Sequence, residues 1–155
     1  MNADTVHVVL VEDNVDHAEL VRRVLNEDGG ILRITHFADG TEAIDALLGR
    51  GDWAGRTLPP PHLMLLDLRL TRVDGMEVLR VVKQHEQLCT IPVVVLTSSE
   101  AARDIAQAYQ EHVNSYLVKP VGFEEFRQLM NDVRRYWLEW NTALTDRDAS
   151  GGPSP

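Results

Sequence analysis

Five short runs of aliphatic and β-branched residues alternate with longer segments of helical periodicity between positions 6 and 141, and no other feature narrows the possible folds as far. The runs are Val6-His7-Val8-Val9-Leu10-Val11, Ile31-Leu32-Arg33-Ile34 continuing to Phe37, Leu63-Met64-Leu65-Leu66, Val93-Val94-Val95-Leu96 and Tyr116-Leu117-Val118. Strands alternating with helices in this way predict an α/β fold with a parallel sheet. The runs at 63 and 93 carry no polar alternation, as a strand covered on both faces requires, and so predict central strands. The run from 31 to 37, interrupted by Arg33, Thr35 and His36, predicts an edge strand.

The intervening segments fit a 3.6-residue period. Between 15 and 26, Val15, Ala18, Leu20, Val21, Val24 and Leu25 form one apolar stripe, with Asn14 placed to cap it. Further helices are expected near 41 to 49, 75 to 86, 101 to 111 and 122 to 141. Gly29-Gly30 and Gly122 suit connections, and Pro120 suits the turn into the last helix. Residues 49 to 61 form a loop of about a dozen residues, longer than most connections of its kind. The expected organisation is one domain over 6 to 141 and a polar tail over 142 to 155, partly disordered or contacting a second copy.

A chain of 155 residues with 44% hydrophobic content can bury a substantial core. Its 15 Lys and Arg against 24 Asp and Glu give a formal charge of -9, which argues against nucleic-acid backbones and anionic membranes as partners. Cys89 is the single cysteine, so no intrachain disulfide can form. No basic leader precedes an apolar core, and no run approaches the roughly 20 apolar residues of a membrane span. A cytoplasmic protein is expected.

In an open parallel sheet the ligand site lies beyond the carboxyl ends of the strands, where strand order reverses. The first run ends in Glu12-Asp13, the third in Asp67, the fourth in Thr97-Ser98 and the fifth in Lys119-Pro120. Crowded carboxylates resist joint ionisation and need a cation, and hard oxygen ligands suit Mg²⁺. A lysine beside such a cation makes a pocket for a phosphoryl dianion. Taken alone, Glu12-Asp13 more often marks a solvated strand end than a metal site, and a strand-terminal Asp67 also fits a turn cap. Together with Thr97 and Lys119 they read as a site.

Glu12-Asp13, Asp67, Thr97, Tyr116 and Lys119-Pro120, in this order and spacing, resemble the signature of receiver domains of two-component response regulators over positions 6 to 141. Within that group, the stretch from Val113 to Pro120, the long loop before the third strand and the Tyr136-Trp137-Leu138 ending resemble standalone regulators paired with phytochrome-type histidine kinases. The resemblance implies a doubly wound (βα)5 sheet in the flavodoxin-like order 2-1-3-4-5. It implies that Asp67 accepts a phosphoryl group from a sensor histidine kinase. It further implies that Asp13 and Asp67 ligate Mg²⁺ together with the backbone carbonyl of Arg69, while Glu12 acts through a bound water. Lys119 would neutralise the phosphoryl oxygens and Thr97 would donate its hydroxyl. Tyr116 would rotate into the space Thr97 vacates, repacking the surface near the last helices. By the same resemblance the Lys119-Pro120 peptide is expected to be cis. Such a protein is a signalling module that phosphorylates and dephosphorylates only itself. Its output is expected to be a downstream protein, since only about a dozen residues follow the last helix and the charge disfavours DNA. The chain departs from the family in having Thr71 where proline is frequent four residues after the acceptor, with Asp74-Gly75 retained. Arg69 and Ser99 occupy positions that flank the phosphoryl group in receivers.

Two other readings compete. Asp67-Leu68-Arg69-Leu70-Thr71 faintly resembles the nucleophile loop of haloacid-dehalogenase-type phosphatases, but Arg69 stands where their second aspartate belongs. An unphosphorylated pseudo-receiver would need no metal, against which the intact acidic set argues. The six histidines, at 7, 17, 36, 62, 85 and 112, show no i, i+4 pair and read as ordinary surface or core residues. Arg50-Gly51-Asp52 and Cys89 carry no further signal.

The last helix carries one more expectation. Spanning 122 to 141 it would be roughly 30 Å long, against about 17 Å for a five-residue strand, so its far end overhangs the sheet. Phe123, Phe126, Met130 and Val133 would face the core. Tyr136, Trp137 and Trp140 would lie on the overhang and mark a contact surface, unless the indoles fold back on the domain's own flank. A homodimer through the last helix, with the C-terminal segment reaching across, is the expectation.

Overall fold

Side chains alternate across a strand, so a strand that is apolar at every position needs a helical layer on each face. The computed structural model describes residues 5–27, 32–56 and 58–142. Within them β1 (Val6–Val11), β2 (Leu32–Phe37), β3 (Leu63–Leu66), β4 (Val93–Thr97) and β5 (Ser115–Val118) pair in parallel in the order β2-β1-β3-β4-β5. The helices α1 (Val15–Leu25), α2 (Gly40–Leu48), α3 (Gly75–Gln84), α4 (Ala102–Gln110) and α5 (Phe123–Val133) complete a (βα)5 doubly wound sheet with the flavodoxin-like strand order.

Both predicted central strands, β3 and β4, are buried at every residue. Val9, Val11, Met64, Leu66, Val93 and Val95 pack with Ala43 and Ile44 of α2 and Val78, Leu79 and Val82 of α3. Val8, Leu10, Leu63, Leu65, Val94 and Leu96 pack with Ala18, Val21 and Val24 of α1 and Phe126, Met130 and Val133 of α5. β2 is an edge strand with Arg33 exposed. Asn14 caps α1 by accepting from the His17 N–H, and Asp39 and Asp74 cap α2 and α3 in the same way.

The long loop contains a 3₁₀ turn at Gly51–Trp53. Trp53 packs edge-on against Phe37, 5.9 Å between ring centroids, with the Arg56 guanidinium 4.4 Å above the indole. Buried His7 bonds the Pro59 carbonyl and Thr35 Oγ1, each at 2.8 Å, and its N–H donates to His62 Nδ1 at 3.0 Å. These contacts pin the loop to the amino end of the sheet.

Several local expectations are corrected. The last helix is α-helical only to Val133 and continues as a π-helix over Arg134–Trp140. The wider turn changes the angular spacing of side chains. Tyr136 and Trp140 remain 57% and 76% exposed, whereas Trp137 packs against the core beneath α1 and α5. Phe123 and Val15, expected to face the core, are exposed, because each opens its helix beyond the strand ends, where no sheet lies beneath. The Lys119-Pro120 peptide is trans, the lower-energy isomer, and Lys119 reaches its partners from that backbone. Gly29-Gly30 and the tail from 143 to 155 lie outside the described residues. Among the described residues no helix is long and apolar enough to cross a membrane.

Candidate functional site

The chain passes from β1 out to β2 and returns to β3 on the other side of β1, so strand order reverses between β1 and β3. Ladder bonds continue past the strand ends there. The Glu12 N–H donates to the Phe37 carbonyl, the Asp67 N–H to the Val11 carbonyl and the Lys119 N–H to the Thr97 carbonyl. These bonds fix Glu12-Asp13, Asp67, Thr97 and Lys119 along one carboxyl edge.

Glu12, Asp13 and Asp67 each bring a carboxylate oxygen into a group lying within 4.8 Å of one another. Lys119 stands between two of them, donating to Glu12 Oε1 at 2.6 Å and Asp67 Oδ2 at 2.9 Å. Glu12, Asp67 and Lys119 are all buried. Burial first, and the neighbouring Asp67 second, push the Glu12 carboxyl up to about 8. Burial also disfavours the Asp67 anion, but the neighbouring Glu12 carboxyl and hydrogen bonds from the Arg69 N–H at 3.0 Å and from Lys119 outweigh it and hold Asp67 below the ordinary carboxylate value. In the metal-free site the surroundings favour the charge on Asp67 and the proton on Glu12.

The donor set fits a hard divalent cation. Glu12 Oε2 is buried without a hydrogen-bond partner, and an acidic oxygen left bare in this way is costly unless an ion or water meets it. Glu12, Asp13 and Asp67 are the side chains that would hold such an ion.

Thr97 is fully buried at the end of β4, and its Oγ1 accepts from the Ser99 N–H at 3.5 Å. Tyr116, on β5, donates its hydroxyl to the Ser99 carbonyl at 2.9 Å, so both residues named as switch elements bear on the loop after β4. The Arg69 guanidinium turns away from Asp67 to Asp104 and Ser99. Tyr136, Trp137 and Trp140 belong to the C-terminal segment and take no part in this cluster.

Two participants escaped sequence reasoning. His17 Nδ1 lies 3.0 Å from Lys119 Nζ and 3.2 Å from Glu12 Oε1, and burial, then Lys119, lower its pKa, so a neutral ring accepts from the lysine. Thr71 Oγ1 donates to Asp13 Oδ2 at 2.8 Å, so the residue replacing the frequent proline orients one carboxylate of the acidic cluster. The available signal for His17 was its place three residues after the α1 cap, in the turn that sits over the end of β1.

Comparison with known proteins agrees with this geometry. A family model described as the response regulator receiver domain matches residues 8–131. A probable methanogenesis regulatory protein, FilR2 of Methanothrix harundinacea, is 47% identical over 135 residues, covering 86% of this chain and 84% of its own. Response regulator Rcp1 of Synechocystis is 36% identical over 132 residues, covering 85% and 88%. The Mn²⁺-bound structure of Rcp1 superimposes with a TM-score of 0.84 over 88% of this chain and 97% of that one. The phosphorylated cyanobacterial phytochrome response regulator RcpA does so with a TM-score of 0.84 at 34% identity, over 88% and 96%.

Proposed function

This chain belongs to the response regulator receiver domain family, and we propose that it is a signalling switch that accepts a phosphoryl group from a sensor histidine kinase on Asp67. The observation that carries this reading is the buried Lys119 ammonium bridging Asp67 and Glu12 beside Asp13, with Glu12 Oε2 left bare. Phosphoryl transfer asks a protein mainly to place charges, and this arrangement places an acceptor carboxylate, a lysine and a cation-binding set together.

In the proposed step an Asp67 carboxylate oxygen forms a P–O bond as the P–N bond of the kinase phosphohistidine breaks, the imidazole being the leaving group. Asp13, Asp67 and the Arg69 carbonyl would hold Mg²⁺ directly and Glu12 through water, and the bound ion would offset charge on the transferring group. Lys119 exchanges a carboxylate partner for a phosphoryl oxygen. Thr97 turns its hydroxyl to another. Movement of the loop after β4 then loosens the bond from Tyr116 to Ser99 and lets the ring change its packing, so that the surface read by a downstream protein differs between states. The Mn²⁺-bound form of Rcp1 and the phosphorylated form of RcpA support the cation and the acceptor. The likeness to RcpA supports a phytochrome-type kinase as the donor.

We further propose a cytoplasmic homodimer joined through α5 and the C-terminal segment, with no nucleic-acid or membrane partner. Exposed Tyr136 and Trp140 support it, as does a groove of about 360 Å³ lined by Leu117, Leu129, Val133, Tyr136 and Trp137. The test of function is incubation with acetyl phosphate and Mg²⁺. The expected result is one acid-stable, base-labile phosphoryl group per chain and none when the metal is chelated. Continuous turnover of a phosphomonoester without stoichiometric label would instead make the protein a phosphatase.

A further inference from the structure

Arg69 is held at both ends. Its N–H bonds Asp67, while one guanidinium nitrogen donates to Asp104 Oδ2 at 2.7 Å and contacts Ser99 Oγ at 3.3 Å. Asp104 Oδ2 also accepts from Ser99 Oγ at 2.5 Å. The Asp104 side chain is only 16% exposed, against 61% for Arg69, so the acid is the fixed partner and the guanidinium the movable one. Asp104 lies in the first turn of α4, so one arginine joins the loop after β3 to the wall across the site.

We propose that Asp104 is a positioning residue that sets the lifetime of the phosphoryl group on Asp67 by holding the Arg69 guanidinium on α4 and off the acceptor. The inference rests on the reading of Asp67 as the phosphoryl acceptor. Phosphorylation places close to two negative charges and three acceptor oxygens two residues from Arg69. A guanidinium pairs strongly with either a carboxylate or a phosphoryl group, so Asp104 and the phosphoryl group compete for it. While Asp104 holds Arg69, the solvent side of the acyl phosphate stays open. Water attacks phosphorus, the P–O bond to Asp67 breaks, and the products are inorganic phosphate and the Asp67 carboxylate, with the proton released to solvent. When the charge on Asp104 is absent, Arg69 pairs with the phosphoryl oxygens, covers that approach and lengthens the lifetime.

The test labels the full chain with acetyl phosphate and Mg²⁺, removes the donor and follows loss of the label. Asp104→Asn, which keeps an acceptor for Ser99, is expected to reach wild-type stoichiometry and to lose label about 1.5- to fivefold more slowly, the range set by one ion pair of this kind. Asp104→Glu is expected to restore a lifetime near that of wild type. In an Arg69→Ala background, Asp104→Asn is expected to have no effect, which a merely structural role for Asp104 would not produce. Ser99→Ala, which removes the second hold on Asp104, gives a smaller slowing in the same direction and serves if Asp104→Asn folds poorly. An unchanged or shortened lifetime in Asp104→Asn, or an equal effect with and without Arg69, overturns the proposal. A wild-type protein that takes no label overturns the acceptor assignment itself and this inference with it.

Discussion

Lys119 holds two buried carboxyl groups with one ammonium, so at the level of single residues cation binding is an exchange of protons and hydrogen bonds. Glu12 is pushed up to about 8 from 4.5, by burial first and by Asp67 second. Its folded-state pKa thus lies above the unfolded value, and protonated Glu12 favours the folded metal-free chain. That contribution is full below the unfolded value and is lost as pH rises through the folded one. A divalent cation must displace the same proton, so the rise in Tm caused by Mg²⁺ should grow between about pH 6 and about pH 8.5 and then level off. At a Mg²⁺ concentration about 100 times Kd, one site adds about 2.7 kcal/mol. Glu12→Gln should flatten the pH dependence and Asp13→Asn should shrink the rise throughout, both read by thermal melts. An equal rise at both pH values would contradict the role given to Glu12. Four of the clustered residues were legible because strand ends announce themselves: an apolar run stops, and Glu12-Asp13, Asp67 or Lys119 follows. His17 and Thr71 were not, because a helix turn and a loop meet the site only through the packing of α1 and α3 on the sheet.

Among the elements, α3 begins directly against the strand end that carries Asp67. A Cβ at Gly75 would collide with the Asp67 carbonyl oxygen and Leu68 Cα, and the Gly75 N–H donates to the Leu68 carbonyl at 3.1 Å. The absence of a side chain lets the first turn of α3 lie directly on the strand end that carries Asp67. Gly75→Ala should therefore cost about 1–3 kcal/mol by denaturant unfolding, since overpacking at backbone must be relieved by backbone shifts. It should also slow labelling of Asp67. Unaltered stability would show that the contact is slack. The strands were readable in advance because β3 and β4 are buried on both faces and are apolar up to Thr97 at the end of β4. Helix ends were less readable, since periodicity cannot tell that Val15 and Phe123 stand beyond the sheet, or that the α-helical ladder gives way to π geometry after Val133.

For the whole molecule, the acidic cluster lies at the carboxyl edge of the sheet and the exposed aromatics lie on its flank. Tyr136 and Trp140 are exposed large aromatics next to the groove between β5 and α5. Light scattering should give the mass of a dimer, and the double change Tyr136→Ala, Trp140→Ala should give that of a monomer while leaving phosphoryl acceptance intact. A monomeric wild type, with and without a phosphoryl mimic, would contradict the dimer. The aromatic grouping was visible in the sequence. Which indole turns inward was not, because Trp137 is placed by the π turn rather than by its position in a heptad or stripe. Everything proposed for the switch rests on Asp67 as the phosphoryl acceptor. Its most direct test is mass spectrometry of wild type and Asp67→Asn after incubation with acetyl phosphate and Mg²⁺. The expected result is a single phosphoryl group on wild type, mapped to Asp67, and an unmodified variant; label retained by Asp67→Asn, or mapped to another residue, would overturn the assignment.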